Sequence, residues 1–397
     1  MKEGKFLAIT GIVLSSAMIL GSLFLLFLNR TNSTQIEVLS EQENGYEVAN
    51  IRDLEIPEEK EVDEEEDKRG DNVQPIPQPT IKEEEEFVLS ESGWIPSWGF
   101  DLGFESLKSN QGIIDTAMPV LYSVDRNGNV VSRDVAEWRI NELLRYCAEN
   151  DVRVIPTIGS FDYDAMSAAF ASQEAYRRQI NTIVSEVERY GFDGIDLDYE
   201  MIQVSEKENF FLFLDELSRE LRSNNRILSV TVFAQWENAN YTDHEQTRQV
   251  QDYVRIGQIA DEVRIMAYDY TLQSSRTPGP IGPIHWIEDV LDYATKTIPN
   301  EKIWLGVHLY GYQWSESRTV AFTYTTGQTI INNPNINAQF NEALGEGYAE
   351  FGCDNGQSCT AYFQNQRGVE MRREIARRYS IAGVAYWRLG GELDILK

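Results

Sequence analysis

Eight short apolar runs alternate with amphipathic segments between Gly93 and the C-terminus, and this repeat limits the fold more than any other property of the chain. The runs fall near residues 93–98, 116–122, 153–158, 192–199, 227–233, 262–268, 303–309 and 382–387. Strand and helix in regular alternation predict βα units around a parallel sheet, and eight such units predict a (β/α)8 TIM barrel of the α/β class. The intervening segments carry ordinary helix signals. Ser205 with Glu208 reads as a capping box, Ser172 stands ahead of a long amphipathic run, and Gly191 sits where that run ends. Residues 313–365 are too many for a connection, and 319–326 alternate like a strand, so a small α+β insertion is expected after the seventh barrel strand.

In such a barrel the chemistry belongs at the C-terminal strand ends. The fourth run ends there in Gly-Phe-Asp-Gly-Ile-Asp-Leu-Asp-Tyr-Glu, residues 191–200, which spaces Asp196, Asp198 and Glu200 two apart. On a strand that period sends all three carboxylates to one face. Like charges a few ångströms apart cannot all stay ionised, so a proton is shared and one pKa rises, which makes a general acid near neutral pH. A solvated edge strand or a cation-binding loop is the plainer account. Calcium loops need Gly and turn residues, however, and Ile195, Leu197 and Tyr199 are bulky and apolar. Asp193 has the opposite parity and reads as structural.

Composition bounds the partners. With 42% hydrophobic residues, 8 Trp, 19 Tyr and 17 Phe among 397 residues, the chain can build a large core. A net charge of −29 repels phosphate backbones, which argues against nucleic acid and for a neutral substrate. The three histidines, His244, His285 and His308, show no metal-ligand spacing with each other or with the cysteines, so neither metal nor cofactor is expected. Cys147 falls on an amphipathic helix and reads as a buried small hydrophobe. Cys353 and Cys359 bracket a polar, turn-rich segment; they form a short disulfide loop if the domain lies outside the cell, and two free thiols otherwise.

The N-terminus is of another kind. Residues 6–28 carry no charge, lie between Lys2 and Lys5 on one side and Arg30 on the other, and are long enough for a bilayer-spanning helix. No small-residue cleavage site follows, so residues 1–32 are expected to be a cytoplasmic tip and an uncleaved signal anchor. The protein would then be a single-pass membrane protein whose remainder is extracytoplasmic, at the cell surface. Between them and the barrel, residues 33–90 mix Glu and Asp runs with Gln74-Pro75-Ile76-Pro77-Gln78-Pro79, the composition of an extended, disordered linker. The catalytic domain is placed at 91–397.

The segment Asp193-Gly-Ile-Asp196-Leu-Asp198-Tyr-Glu200 resembles the strand-four signature of glycoside hydrolase family 18 at all four acids. Gly93-Trp-Ile-Pro-Ser-Trp98, Met266-Ala-Tyr268-Asp269-Tyr270, Leu305-Gly-Val-His-Leu-Tyr310-Gly311 and Gly383-Val-Ala-Tyr-Trp387 are similar to its first, sixth, seventh and eighth strands. Gly279-Pro-Ile-Gly-Pro-Ile-His-Trp286 and Trp387-Arg-Leu-Gly390 are nearest to the bacterial branch of spore-cortex-lytic glucosaminidases, although no LysM wall-binding repeat is recognisable. Thr157-Ile-Gly159-Ser160 stands where chitinases usually have Ser-x-Gly-Gly.

The resemblance implies retaining hydrolysis assisted by the substrate, whose 2-acetamido oxygen closes an oxazolinium ring, so that no enzyme nucleophile is needed. It gives Glu200 the acid/base role, Asp198 the acetamido N–H, Asp196 a proton or hydrogen bond shared with Asp198, and Tyr268 a hydrogen bond to the acetamido oxygen. Trp387 would be the apolar floor under the sugar. Asp269, Tyr310, Trp98, Trp236, Trp314 and Gln235 are expected to bind substrate, with Arg388 nearby. The implied partner is a GlcNAc-containing polysaccharide, peptidoglycan or a chitin-like polymer, met by a monomer. An endo-β-N-acetylglucosaminidase of N-glycans and a non-catalytic glycan-binding barrel are the rival readings.

Overall fold

Proline decides where two of the barrel strands stop. The computed structural model describes residues 89–397 apart from 238, 240–245, 354–355 and 393. The first strand, β1 (Ser90–Ile95), ends before Pro96 and turns into a 3-10 segment at Ser97–Gly99, three residues short of the expected end and three ahead of the expected start. The third run is split into β4 (Arg153–Val154) and β5 (Thr157–Ser160), because Pro156 between them has no N–H for a ladder. The segments at 6–28 and 33–88, together with His244, lie outside the described residues, and no helix among those described is long and apolar enough to cross a membrane.

The remaining barrel strands are β2 (Thr116–Val124), β6 (Gly194–Tyr199), β7 (Ile227–Phe233), β8 (Glu262–Met266), β9 (Ile303–His308) and β15 (Gly383–Trp387). A short strand, β3 (Val130–Ser132), returns antiparallel along β2. Parallel pairing runs β1–β2–β4/β5–β6–β7–β8–β9–β15 and closes on β1, the eight-stranded barrel that the repeat predicts. Helices pack outside it on apolar stripes. Helix Gln173–Tyr190, for example, buries Tyr176, Ile180, Ile183 and Val187, spaced near one turn apart, with Ser172 accepting from Ala175 N at its start and Gly191 at φ 70° closing its end. Each such side chain contributes roughly 1.5–3 kcal/mol. The capping box expected of Ser205 and Glu208 forms instead between Gln203 and Glu206, ahead of helix Lys207–Ser223; Glu208 reaches Arg255.

After β9 the chain leaves the barrel for a five-stranded antiparallel sheet of β10 (Tyr310–Ser315), β11 (Thr319–Thr323), β12 (Gln339–Asn341), β13 (Glu346–Gly352) and β14 (Ser358–Phe363), in the order β11-β10-β14-β13-β12. The insertion thus begins at Tyr310, earlier than residue 313, because β10 follows β9 with one residue between. Thr323 ends the strand expected at 319–326 by capping helix Tyr324–Ile331. Cys353, just past β13, and Cys359 of β14 are disulfide-bonded across the β13–β14 turn, and Cys147 is buried on helix Glu137–Glu149.

Candidate active site

Asp196 lies inside the barrel, fully buried, and its neighbours are hydroxyls. Register brings Thr157 of β5 and Ser229 of β7 beside it. Thr157 Oγ1 donates to its Oδ2 at 2.9 Å, Ser229 Oγ to Oδ1 at 2.6 Å, and Thr231 Oγ1 reaches both oxygens at 3.0 and 3.1 Å. Trp94 Nε1 donates to Thr157 Oγ1 at 3.2 Å and Arg264 donates to Ser229, which leaves both hydroxyl protons for the carboxylate. The expected Asp196–Asp198 hydrogen bond is therefore replaced by this cradle. Asp198 Oδ1 is buried with no hydrogen-bond partner among the described residues.

Two residues further up the strand, about 7 Å by strand geometry, the surroundings change. Burial first, then Glu200 and Asp196, push the Asp198 carboxyl well above the usual range, with Arg133 pulling the other way. Arg133 reaches the site from the segment after β3, its Nε on Tyr122 O at 3.0 Å. Glu200 follows the last residue of β6; its N–H bonds Ser160 O at 2.9 Å and its carbonyl accepts from Thr247. Burial and then Asp269 push its carboxyl up to about 8, against Arg248. Tyr268, just past β8, is raised by burial and by Asp198, Asp269 and Glu200, so all four groups share one space. Such a cluster titrates as a unit, and it holds a proton at neutral pH at the end of β6.

The aromatic floor lies across the barrel. Trp387, the last residue of β15, is half-buried, with Trp94 at 6.0 Å and Trp98 at 6.4 Å, both edge-on. Trp94, Met118, Val120 and Ala385 form the apolar layer beneath it. Trp98 is 55% exposed, which leaves a ring face open at the rim. The peptide between Trp387 and Arg388 is cis. No group of three His, Cys, Asp or Glu among the described residues is placed to hold a metal ion.

The family model for glycosyl hydrolases, family 18, matches residues 96–392, three quarters of the chain. The chain belongs to this family. Among its relatives are the cortical fragment-lytic enzyme of Bacillus subtilis (strain 168), 27% identical over 226 residues that cover 54% of this chain and 50% of the relative, and the putative sporulation-specific glycosylase YdhD of the same organism, 25% identical over 238 residues that cover 59% and 55%. The chain thus spans about half the length of these relatives. The crystal structure of a chitinase from Chromobacterium violaceum ATCC 12472 superposes with a TM-score of 0.70 over 78% of this chain and 96% of that one at 21% identity, a likeness of fold.

Several family-18 expectations land elsewhere. Asp269, at φ 60°, accepts from Tyr310 and from Tyr312, the latter at 2.8 Å, so the Tyr310 hydroxyl is engaged with a carboxylate and not turned to a ligand. Trp314 cannot be a sugar platform: it is 3% exposed in β10, with Nε1 on Ser275 O at 3.0 Å. Gln235 is buried, and its amide donates to Arg248 O at 3.2 Å and Gln251 O at 2.6 Å, which fixes backbone and does not line a cleft. Trp236 is half-buried edge-on to Trp286 at 5.9 Å. Asp193 takes Val154 N at 2.7 Å, a staple between strands. Arg133, Arg248, Tyr312 and the hydroxyl cradle were not singled out from sequence, although Ser229-Val-Thr231 shares the two-residue period of the carboxylates on the neighbouring strand and gives a usable signal.

Proposed function

We propose that this chain is a retaining glycosidase that cuts β-1,4 linkages at N-acetylglucosamine in peptidoglycan or chitin-like polymers, with Glu200 as acid and base. The observation that carries the reading is the row Asp196, Asp198 and Glu200 at one barrel mouth, where Glu200 is pushed up to about 8 and therefore holds its proton at neutral pH. Glu200 would protonate the leaving glycosidic oxygen while the sugar's own acetamido oxygen attacks the anomeric carbon. Asp198, flanked by Asp196 below and Glu200 above, would take the acetamido N–H and balance the charge of the oxazolinium. Tyr268 would donate to the acetamido oxygen. After the aglycone leaves, the Glu200 carboxylate would take a proton from the incoming water. Trp387 would lie under the pyranose ring and Trp98 at the rim beyond it.

Peptidoglycan is favoured because relatives are named for cortical-fragment lysis. The disulfide Cys353–Cys359 supports an oxidising, extracytoplasmic location, and residues 6–28 would supply the anchor. Mass spectrometry of products from purified sacculi, chitohexaose and an N-glycoprotein, each incubated with the full chain, tests both bond and substrate. Reducing-end GlcNAc from sacculi is expected. Equal cleavage of de-N-acetylated substrate would remove the assisted mechanism.

A further inference from the structure

Asp269 is held in an unusual way. Its backbone is left-handed at φ 60°, a conformation that few residues other than glycine adopt and that persists only when the surroundings fix it. The surroundings come from the inserted sheet. Tyr310 and Tyr312 alternate along β10, so their rings share one face, and both hydroxyls donate to the same atom, Oδ1 of Asp269. From β13 of the same sheet, Glu346 accepts from Ile281 N at 2.9 Å and Gly282 N at 2.5 Å, and Ile281 O in turn accepts from Tyr270 N at 2.8 Å, next to Asp269. Arg372 lies 3.4 Å from Glu346 and bonds Gly345 O at 2.8 Å. The sheet therefore grips both the side chain of Asp269 and the backbone that follows it.

We propose that Tyr312, together with Tyr310, is a positioning residue: the two phenols clamp Oδ1 of Asp269, leave Oδ2 for the reacting site, and so set the charge that Glu200 feels. This rests on the glycosidase reading above only where turnover is the readout. A phenol suits the task because its ring fixes the donor with two torsions, and burial pushes both hydroxyls away from ionisation, so each remains a donor. The groups that face this pair are known. Asp269 meets Glu200 just past β6, Tyr268 from its own loop, and Tyr310 and Tyr312 from β10; Glu200 also meets Arg248, and Asp198 meets Asp196, Glu200, Arg133 and Tyr268. Hydroxyl donors favour the ionised carboxylate, so loss of one raises the Asp269 pKa, makes the group less negative at a given pH, and lets Glu200 lose its proton at lower pH.

The test compares the full chain with its Tyr312→Phe and Tyr348→Phe variants. Tyr348 lies on the same sheet with its hydroxyl on Glu350, away from Asp269. For Tyr312→Phe, kcat on chitohexaose is expected to fall about tenfold with KM changed less than about twofold, and the alkaline limb of kcat/KM to move about half a pH unit toward acid. Tyr348→Phe should leave both unchanged. Carbon-detected NMR titration of the carboxyls reads the clamp without substrate, and the Asp269 titration should move up in Tyr312→Phe. An unmoved Asp269 titration overturns the proposal, and so does a rate loss with a stationary alkaline limb. A moved titration in a protein without hydrolytic activity keeps the clamp and sinks the glycosidase reading instead.

Discussion

The two mouths of the barrel are both lined with carboxylates, and they treat them in opposite ways. At the N-terminal mouth four acids precede or begin strands and are tied to a neighbouring strand or to a cation. Asp115 takes Glu91 N at 2.9 Å, Asp193 takes Val154 N at 2.7 Å and Asp261 takes Leu228 N at 2.9 Å, each stapling its strand to the neighbour. Glu262 lies against Arg264 at 2.6 Å and Arg153 at 2.8 Å; burial would raise it, but the two guanidinium groups hold it below its ordinary value. Asp115, Asp261, Glu262 and Arg153 rim a recess of about 560 Å³. At the C-terminal mouth burial and neighbouring acids win: Asp198 is raised by burial, Glu200 and Asp196 against Arg133, and Glu200 by burial and Asp269 against Arg248. Residue type does not separate structural from chemical acids here. What separates them is the balance between burial with neighbouring acids on one side and the donors and cations that oppose it on the other.

The sharpest way to break the contrast is at Glu200. Glu200→Gln keeps shape and removes the transferable proton, so kcat is expected to fall about 10³-fold with a cooperative melt retained and oligosaccharide still bound. Wild-type activity should be lost as pH rises through about 8, since the acid must be protonated to work. The sign for stability is the same: a carboxyl whose folded pKa exceeds its ordinary 4.5 stabilises the fold fully below 4.5, and that contribution declines as pH climbs toward 8. A Gln variant that retains full turnover, or an alkaline limb that survives well past pH 9, would put the proton elsewhere.

At the other mouth Glu262→Gln should reverse the pattern, with turnover per folded molecule nearly unchanged and stability lower by about 3 kcal/mol, because Arg264 is left buried with one charge partner gone. Glu262 has a lowered folded pKa, so its contribution is present above its ordinary 4.5 and is lost as pH falls below that value. Urea melts at pH 7 and pH 4 check both. A drop in kcat would mean that Arg264, through Ser229 and Asp196, couples the two mouths.

Much of this division was legible in the sequence, for physical reasons that also set its limits. The barrel followed from the strand–helix repeat, and the parity of Asp196, Asp198 and Glu200 against Asp193 sent three acids inward and one to the strand's edge. Pro96 and Pro156 could have moved the strand ends, had their missing N–H groups been weighed against the apolar runs. What parity cannot give is the partner from another strand. Thr157, Ser229 and Thr231 around Asp196 depend on register, and the Tyr310–Tyr312 grip on Asp269 depends on how the inserted sheet leans on the barrel. Trp314 failed as a sugar platform because its face of β10 packs against Ile281, Tyr312 and Tyr362, which buries it whatever its distance in sequence from the cleft.

The smallest expected effect sharpens the contrast most finely, because Asp193 and Asp196 are three residues apart in one segment. Asp193→Ala leaves the N–H of the buried Val154 without its 2.7 Å acceptor, which comes from the half-buried Asp193. One amide left unpaired should cost about 1–2 kcal/mol in a urea melt, with kcat and the alkaline limb unchanged. Asp193→Asn should recover part of it, since the amide oxygen can still accept. If instead Asp193→Ala moves the alkaline limb while the melt stays put, the acid belongs electrostatically to the upper cluster, and strand parity is not what divides structural from chemical carboxylates in this barrel.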